Sequence, residues 1–218
     1  RPPRSTLFPY TTLFRSKNLS NPSQQGWQLT GAVSFYESPV QILHSHFIGN
    51  RSEDALNIIR STFRIDSSVF SRTSSDAFDG DFVKGIITNS CFDSLGNDAI
   101  DVSGSAIQIS DVVIDAAGDK GLSNGEVSEM SVRNVEIKNS EIAVASKDIS
   151  DIEIKNISIA DCRVGFTAFQ KKPEFGSGRI TVHGLKMDHV NVPYLVENRS
   201  RVVRSEERRV GKECRSRW

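Results

Sequence analysis

Aspartates recur at a fixed interval early in the chain, and they offer its plainest chemistry. Asp54, Asp76 and Asp98 are 22 residues apart, Asp79 and Asp101 repeat the interval, and Asp81 lies two residues beyond Asp79. If residues at this interval stack, Asp79 and Asp101 are like charges about 4.8 Å apart. Such stacking raises carboxyl pKa values or demands a cation. Oxygens converging at that step suit calcium, which takes about six to eight oxygen ligands. The candidate metal ligands are therefore Asp76, Asp79, Asp81, Asp98 and Asp101. A plainer alternative needs no ligand: an aspartate before a tight turn caps backbone N–H groups, and one that faces solvent costs little.

The element that positions these residues is a repeat. Asp76-Ala77-Phe78-Asp79 returns as Asp98-Ala99-Ile100-Asp101. One interval back stands Asp54-Ala55-Leu56-Asn57, and forward stand Lys120-Gly121-Leu122-Ser123, Ile142-Ala143-Val144-Ala145 and Val164-Gly165-Phe166-Thr167. A self-similar period of this length signals a solenoid. The large apolar member of each copy, from Leu56 to Phe166, is expected in one buried stack, with Asn57, Asp79, Asp101 and Ser123 on the outer face.

Each coil divides into three short strands. The second is marked by pairs such as Phe63-x-Ile65, Ile86-Ile87 and Ile107-x-Ile109, and the third by Phe47, Phe70, Phe92, Ile114, Ile137, Ile159 and Met187. Between them runs a polar turn column: His44, Ser67, Asn89, Asp111, Asn134, Asn156 and Gly184. Asn, Asp and Gly tolerate a left-handed bend, and Asn side chains can hydrogen-bond along a stack. Twenty-two residues at about 3.3 Å each give a contour of roughly 70 Å, one turn around a narrow core.

The last spacing departs from the rule. Ile154 to Val182 is 28 residues, so about six are inserted within 168–178. Loops on rigid scaffolds often carry function. This one presents Phe169, Lys171, Lys172 and Phe175, and Lys147 stands in the Asp81 column three coils on; these five form the candidate substrate-binding set.

The two ends read differently from the rest. Residues 1–16 and 204–218 match the translation of a common sequencing-library adapter and of its reverse complement, so they are set aside as non-native. The domain reading is a lead-in over 17–30 and a solenoid fragment over 31–203. Without the end segments, 18 Lys/Arg and 24 Asp/Glu remain, a formal charge of −6 that argues against a nucleic-acid partner. No apolar run reaches membrane-spanning length. Cys91 and Cys162 fall about three coils apart, too far for a disulfide. His44, His46, His183 and His189 read as surface or turn residues.

The repeat from Gly31 to about Val196, some seven coils with an Asn/Asp/Ser turn column, resembles the right-handed parallel β-helix of the pectate-lyase-like superfamily. The expected class is thus all-β. Handedness is implied by the resemblance alone. The resemblance also implies an extracellular or cell-surface protein and an extended polysaccharide as partner. Calcium-dependent lyases of this kind hold a sugar carboxylate on an acidic cluster while Lys or Arg removes the proton α to it. Lys84 and Lys120 are the residues that could take that role here. The Asn-Thr-Asp, Asp-Asp, Gly-His-Gly and Arg-Ile-Lys set of polygalacturonases is absent, as is the Asp-Pro-His motif of alginate epimerases. The favoured expectation is a non-catalytic glycan-binding or stalk module, with a calcium-dependent uronate lyase or epimerase as the alternative.

Overall fold

The computed structural model describes residues 15–20, 23–24 and 27–205. Within them the chain winds as a parallel β-solenoid with no helix. The first strand of each coil joins one eight-stranded sheet, Gly31–Tyr36, Asp54–Ile59, Asp76–Asp81, Ile100–Ser103, Lys120–Gly125, Ile142–Lys147, Val164–Phe169 and Val192–Val196 in spatial order. There are therefore eight coils rather than seven. The first opens Gly31-Ala32-Val33, without the aspartate that marks its neighbours, and the eighth is displaced by the insertion.

The second and third strands share a single twelve-stranded sheet instead of forming two. From the fourth coil they fuse into continuous strands, Ala106–Ala117, Glu129–Lys138, Asp151–Ala160 and Arg179–Asp188. The turn column sits inside them. All seven of its members, His44, Ser67, Asn89, Asp111, Asn134, Asn156 and Gly184, have left-handed φ between 48° and 73°. Their side chains form the expected ladder: Asn134 Nδ2 donates to Asp111 Oδ1 at 3.0 Å, and Asn156 Nδ2 to Asn134 Oδ1 at 3.1 Å.

Two further corners per coil use the same left-handed bend. One runs Glu37, Arg60, Phe82, Gly104, Glu126-Val127 and Asp148-Ile149; the other includes Gly49, Arg72, Ser94, Ala116, Asn139, Asp161 and His189. Buried serines just after a corner residue tie the coils together. Ser68 Oγ donates to its own coil at Asp66 O (3.0 Å) and accepts from Ser45 N of the coil below (3.2 Å); Ser90 and Ser105 do likewise. A tight corner strands backbone groups away from water, and these hydroxyls satisfy them.

The core is a set of parallel columns. Leu56, Phe78, Ile100, Leu122, Val144 and Phe166 are all fully buried in one stack, as the repeat requires. Phe47, Phe70 and Phe92 stack ring on ring at 4.5 and 4.8 Å. One phase differs: Ile86 stands outside and Gly85 takes the inward position opposite Phe63. A Cβ at Gly85 would meet the Phe63 ring at 2.4 Å, so the ring occupies the space of the missing side chain.

The strands reach beyond the expected limits. Arg15–Lys17 pairs with His46–Ile48, and Asn50 Nδ2 donates to the buried Ser16 Oγ at 2.9 Å. Arg201–Ser205 pairs with the strand from Arg179. Arg15, Ser16, Arg204 and Ser205 therefore pair onto the solenoid outside the 31–203 span read from the sequence. Their backbone groups pair whatever side chains they carry, because an open sheet edge accepts any extended segment. The remainder of 1–16 and of 204–218 lies outside the described residues.

Candidate functional site

Parallel pairing in register builds the acidic strip. Asp79 aligns with Asp101 above and Asn57 below, Asp101 with Ser123, and Asp76 with Asp54. Alternation along each strand turns Phe78 and Gly80 inward and Asp79 and Asp81 outward. Asp79, Asp81 and Asp101 stand on the outward side of two adjacent coils, and Asp54, Asp76 and Asp98 stack beside them at the strand starts, Asp54 and Asp98 being buried.

The strip has two parts. The column at the strand starts is structural: Asp76 Oδ1 accepts from Asp98 N (2.9 Å) and Asn97 Nδ2 (2.6 Å), and Asp98 Oδ1 accepts from Lys120 N (2.9 Å). Each carboxyl thus caps the strand of the next coil. The outer column is sparsely satisfied. Asp79 Oδ2 accepts one hydrogen bond, from Asn57 Nδ2 at 2.7 Å. Asp101 faces the Lys147 ammonium at 3.5 Å.

Burial and mutual repulsion set the protonation of this group. Asp79 is pushed up to about 9, first by burial and then by the charges of Asp81, Asp54, Asp101 and Asp76. Burial also leads the rise of Asp54, Asp76 and Asp98 to about 6, and it raises Asp81. At Asp98 and Asp76 the opposing influences are Lys120 and the backbone N–H of Asp98, respectively.

Neither lysine suits proton abstraction. Lys120 does flank the strip, bonded to Asp119 and 3.4 Å from Asp98. Burial acts to lower its pKa, but the Asp98 and Asp119 carboxyls outweigh it and hold Lys120 above its ordinary value. A base must give up its proton near the working pH; Lys120 stays a cation. Lys84 lies past the Phe82 corner on the other sheet, aligned with Thr62 and Ala106. There it lines a shallow open trough of about 940 Å³ with residues such as Gln108, Glu129 and Asp151. No hydrogen bond or ion pair joins Lys84 to the strip among the described residues.

Lys147 is buried, 6 % exposed, rather than free to meet a substrate. It reaches back across Gly125, whose missing side chain leaves the path clear, to Ser123 Oγ at 2.8 Å and Asp101. The inserted loop is where the spacing placed it, between Phe169 and Arg179. It is pinned: Asp148 Oδ1 accepts from Lys171 N (2.7 Å) and Lys172 N (2.8 Å), and Gln170 Nε2 donates to the carbonyls of Lys172, Pro173 and Phe175. The Lys172 ammonium pairs with Glu126, while Phe169 and Phe175 are half-buried. Asn97, Asp119, Glu126 and Asp148 thus complete the site without having stood out in the sequence. Asn97 and Asp119 are themselves 22 residues apart, one place before the aspartate column, a signal that was available.

The residues do not fit the calcium expectation. No three His, Cys, Asp or Glu side chains converge to hold a metal ion among the described residues. The carboxyls are strung along the coil axis, and two of them already face lysines. The histidines are peripheral, His44 and His189 occupying corners. Cys91 and Cys162 are free thiols.

Comparison with known proteins bears on the fold. No family model matches, and no curated protein matches. Among solved structures, the Agl-KA catalytic domain is similar at a TM-score of 0.50 and 12% identity, over 88% of this chain and 41% of that one. The catalytic domain of a GH87 α-1,3-glucanase in complex with nigerose follows at 0.43 and 11%, over 81% of this chain and 49% of that one. This chain spans less than half of either. The likeness and the register together define a right-handed parallel β-helix. Among the described residues, no helix is long and apolar enough to cross a membrane.

Proposed function

We propose that this chain is an extracellular or cell-surface β-helix module that binds an extended polysaccharide along the outer face of its first sheet. The observation that carries the reading is the outer column Asn57, Asp79, Asp101, Ser123, which offers polar groups at one coil spacing, about 4.8 Å, in a straight line. A linear polymer presents hydroxyls at a comparable repeat, and Asp79, with a single hydrogen bond, has capacity left for them. The fold supports the reading because a solenoid supplies a long regular surface. The binding reading is preferred to the lyase alternative because Lys120 is held protonated and Lys84 is on the other sheet.

A second reading is favoured by one observation. Asp79 is a carboxyl held protonated at neutral pH beside Asp101, and hydrolysis of a glycosidic bond uses such a pair, one member as acid and the other as base or nucleophile. Affinity electrophoresis through gels cast with different polysaccharides, with product assays on the same polymers, tests both. The binding reading predicts retardation by at least one polymer, lost in Asp79→Asn/Asp101→Asn, without release of sugar. Release of reducing sugar that stops in Asp79→Asn would favour hydrolysis. No retardation by any polymer would overturn the binding reading.

A further inference from the structure

Apolar columns that are buried throughout the solenoid come to the surface on its last coil. Val192, Tyr194 and Val196 stand in register above Val164, Phe166 and Ala168, Leu185 and Met187 above Ile157 and Ile159, and Val202 above Ile180. Every residue in the lower row is at most 3% exposed, whereas Tyr194 and Val196 are 43 and 40% exposed and the other four are only partly covered. The Tyr194 ring continues the column on Phe166, their centroids 5.8 Å apart. Solenoids close their ends with polar capping repeats; here the columns stay apolar to the last member.

The surface so exposed is one half of the interface that joins each pair of neighbouring coils in this chain. What matches it is another coil with apolar residues at the same phase. Residues 206–218 offer no such stripe, since eight of the thirteen are charged. Arg204 itself falls in the inward column, in register with the buried Val182, and sets a charge on the rim of the face. The opposite end is less open, because Arg15–Lys17 pairs along His46–Ile48 of the first coil. Pro193 lies in the edge strand Val192–Val196 and has no N–H to give to a further strand. Contact between side-chain columns is therefore favoured over open-ended strand addition.

We infer that the open face of the last coil binds the same face of a second copy of this chain, tail to tail about a two-fold axis. Val192, Tyr194 and Val196 of one chain then lie against those of the other. Such a contact is isologous and closes at two chains, whereas head-to-tail stacking of this face on the first coil would run on into a fibre. Burial of the exposed columns drives the association, as it does between coils within the chain.

Sedimentation equilibrium of the full chain over about 1–100 µM, the weak end of the range for protein interfaces, tests this. The average mass should rise from one chain to two and stop there. Tyr194→Glu and Val196→Glu each set a charge in the contact and should weaken the dimer at least about tenfold. Phe82→Ser, at an exposed apolar corner several coils away, should leave it unchanged. Arg204→Val removes the charge from the inward column and should tighten the dimer several-fold. That gain is readable even if Tyr194→Glu loosens the last coil. One chain at every concentration would overturn the inference. Equal weakening by Phe82→Ser, or no tightening in Arg204→Val, would place the contact elsewhere and overturn it too. A mass that keeps growing beyond two chains would replace the two-fold contact with head-to-tail stacking.

Discussion

Asp66 and Asp79 are the same side chain in opposite circumstances. Asp66 lies on the larger sheet and accepts from Asn89 Nδ2 (2.9 Å), Thr88 Oγ1 (3.0 Å) and Ser67 Oγ (3.2 Å) on one oxygen and from Arg64 (2.9 Å) on the other. Those bonds, the Asn89 one first, hold its carboxyl far below the usual range. Asp79 has one donor and four acidic neighbours, and burial drives it up to about 9. A carboxylate surrounded by donors is a fixed part of the scaffold, stitching one coil to the next. One left short of donors at equal phase with others of its kind destabilises the free fold, which makes it a candidate for binding.

The contrast presumes that the strip stands on a packed floor. Ile100→Ala should cost about 2–5 kcal/mol, as truncation of a large buried side chain does, whereas Asp101→Ala, one residue on and facing out, should cost much less. Equal losses in a denaturant titration would break the inside–outside assignment. Next in size is Asp66→Ala, which removes four hydrogen bonds to a charged group; with Arg64 and Asn89 on the surface, the loss should be about 1 kcal/mol. No change in the denaturation midpoint would remove Asp66 from the scaffold.

The pH dependence should separate the two regions by sign. Asp54, Asp76, Asp79 and Asp98 have folded pKa values above the unfolded one, so the folded chain holds protons that the unfolded chain gives up. Their contribution is full below about pH 4 and falls as pH rises through 6 and on to about 9. Asp66 runs the other way: its contribution is present above the ordinary carboxylate range and is lost on acidification. Stability followed by denaturant melts should therefore decline from about pH 5 to pH 9, and Asp79→Asn should flatten the upper part of that decline. The smallest effect expected is on melting temperature. At about pH 8, Asp79→Asn should raise it by about 2–4 °C, the equivalent of ~1 kcal/mol in a chain of this size, because an amide fills the same space and still accepts from Asn57. A lower melting temperature would mean that the Asp79 carboxyl is satisfied after all.

Much of this was legible in the sequence because a solenoid writes its register into the chain. Residues such as Phe78, Ile100 and Asp79 fall in their columns from the period alone. The Asn/Asp turn column was legible because those residue types favour the bend they adopt. The other two corners were not. Phe82, Val127 and Ile149 bend left-handed against their own preference, held by hydrogen bonds such as Phe82 N to Ser103 O (2.8 Å) and Val127 N to Asp148 O (2.9 Å), so no local signal announces them. The broken period locates the inserted loop, but spacing alone misplaces the lysines. It puts Lys147 in the acidic column as a free cation, whereas the folded side chain lies across Gly125 to Asp101, already paired. Nearness in sequence assigns Lys84 to the strip, and the Phe82 corner turns it onto the other sheet.

The central claim is that the strip holds carboxyls short of partners while the scaffold carboxyl is saturated. Carbon-13 carboxyl titration of the aspartates, followed from strong acid to mild alkali, tests it most directly. The account predicts that Asp79 titrates near 9 and Asp66 well below the ordinary value of 3.8. Titration of both together close to 3.8 would contradict it.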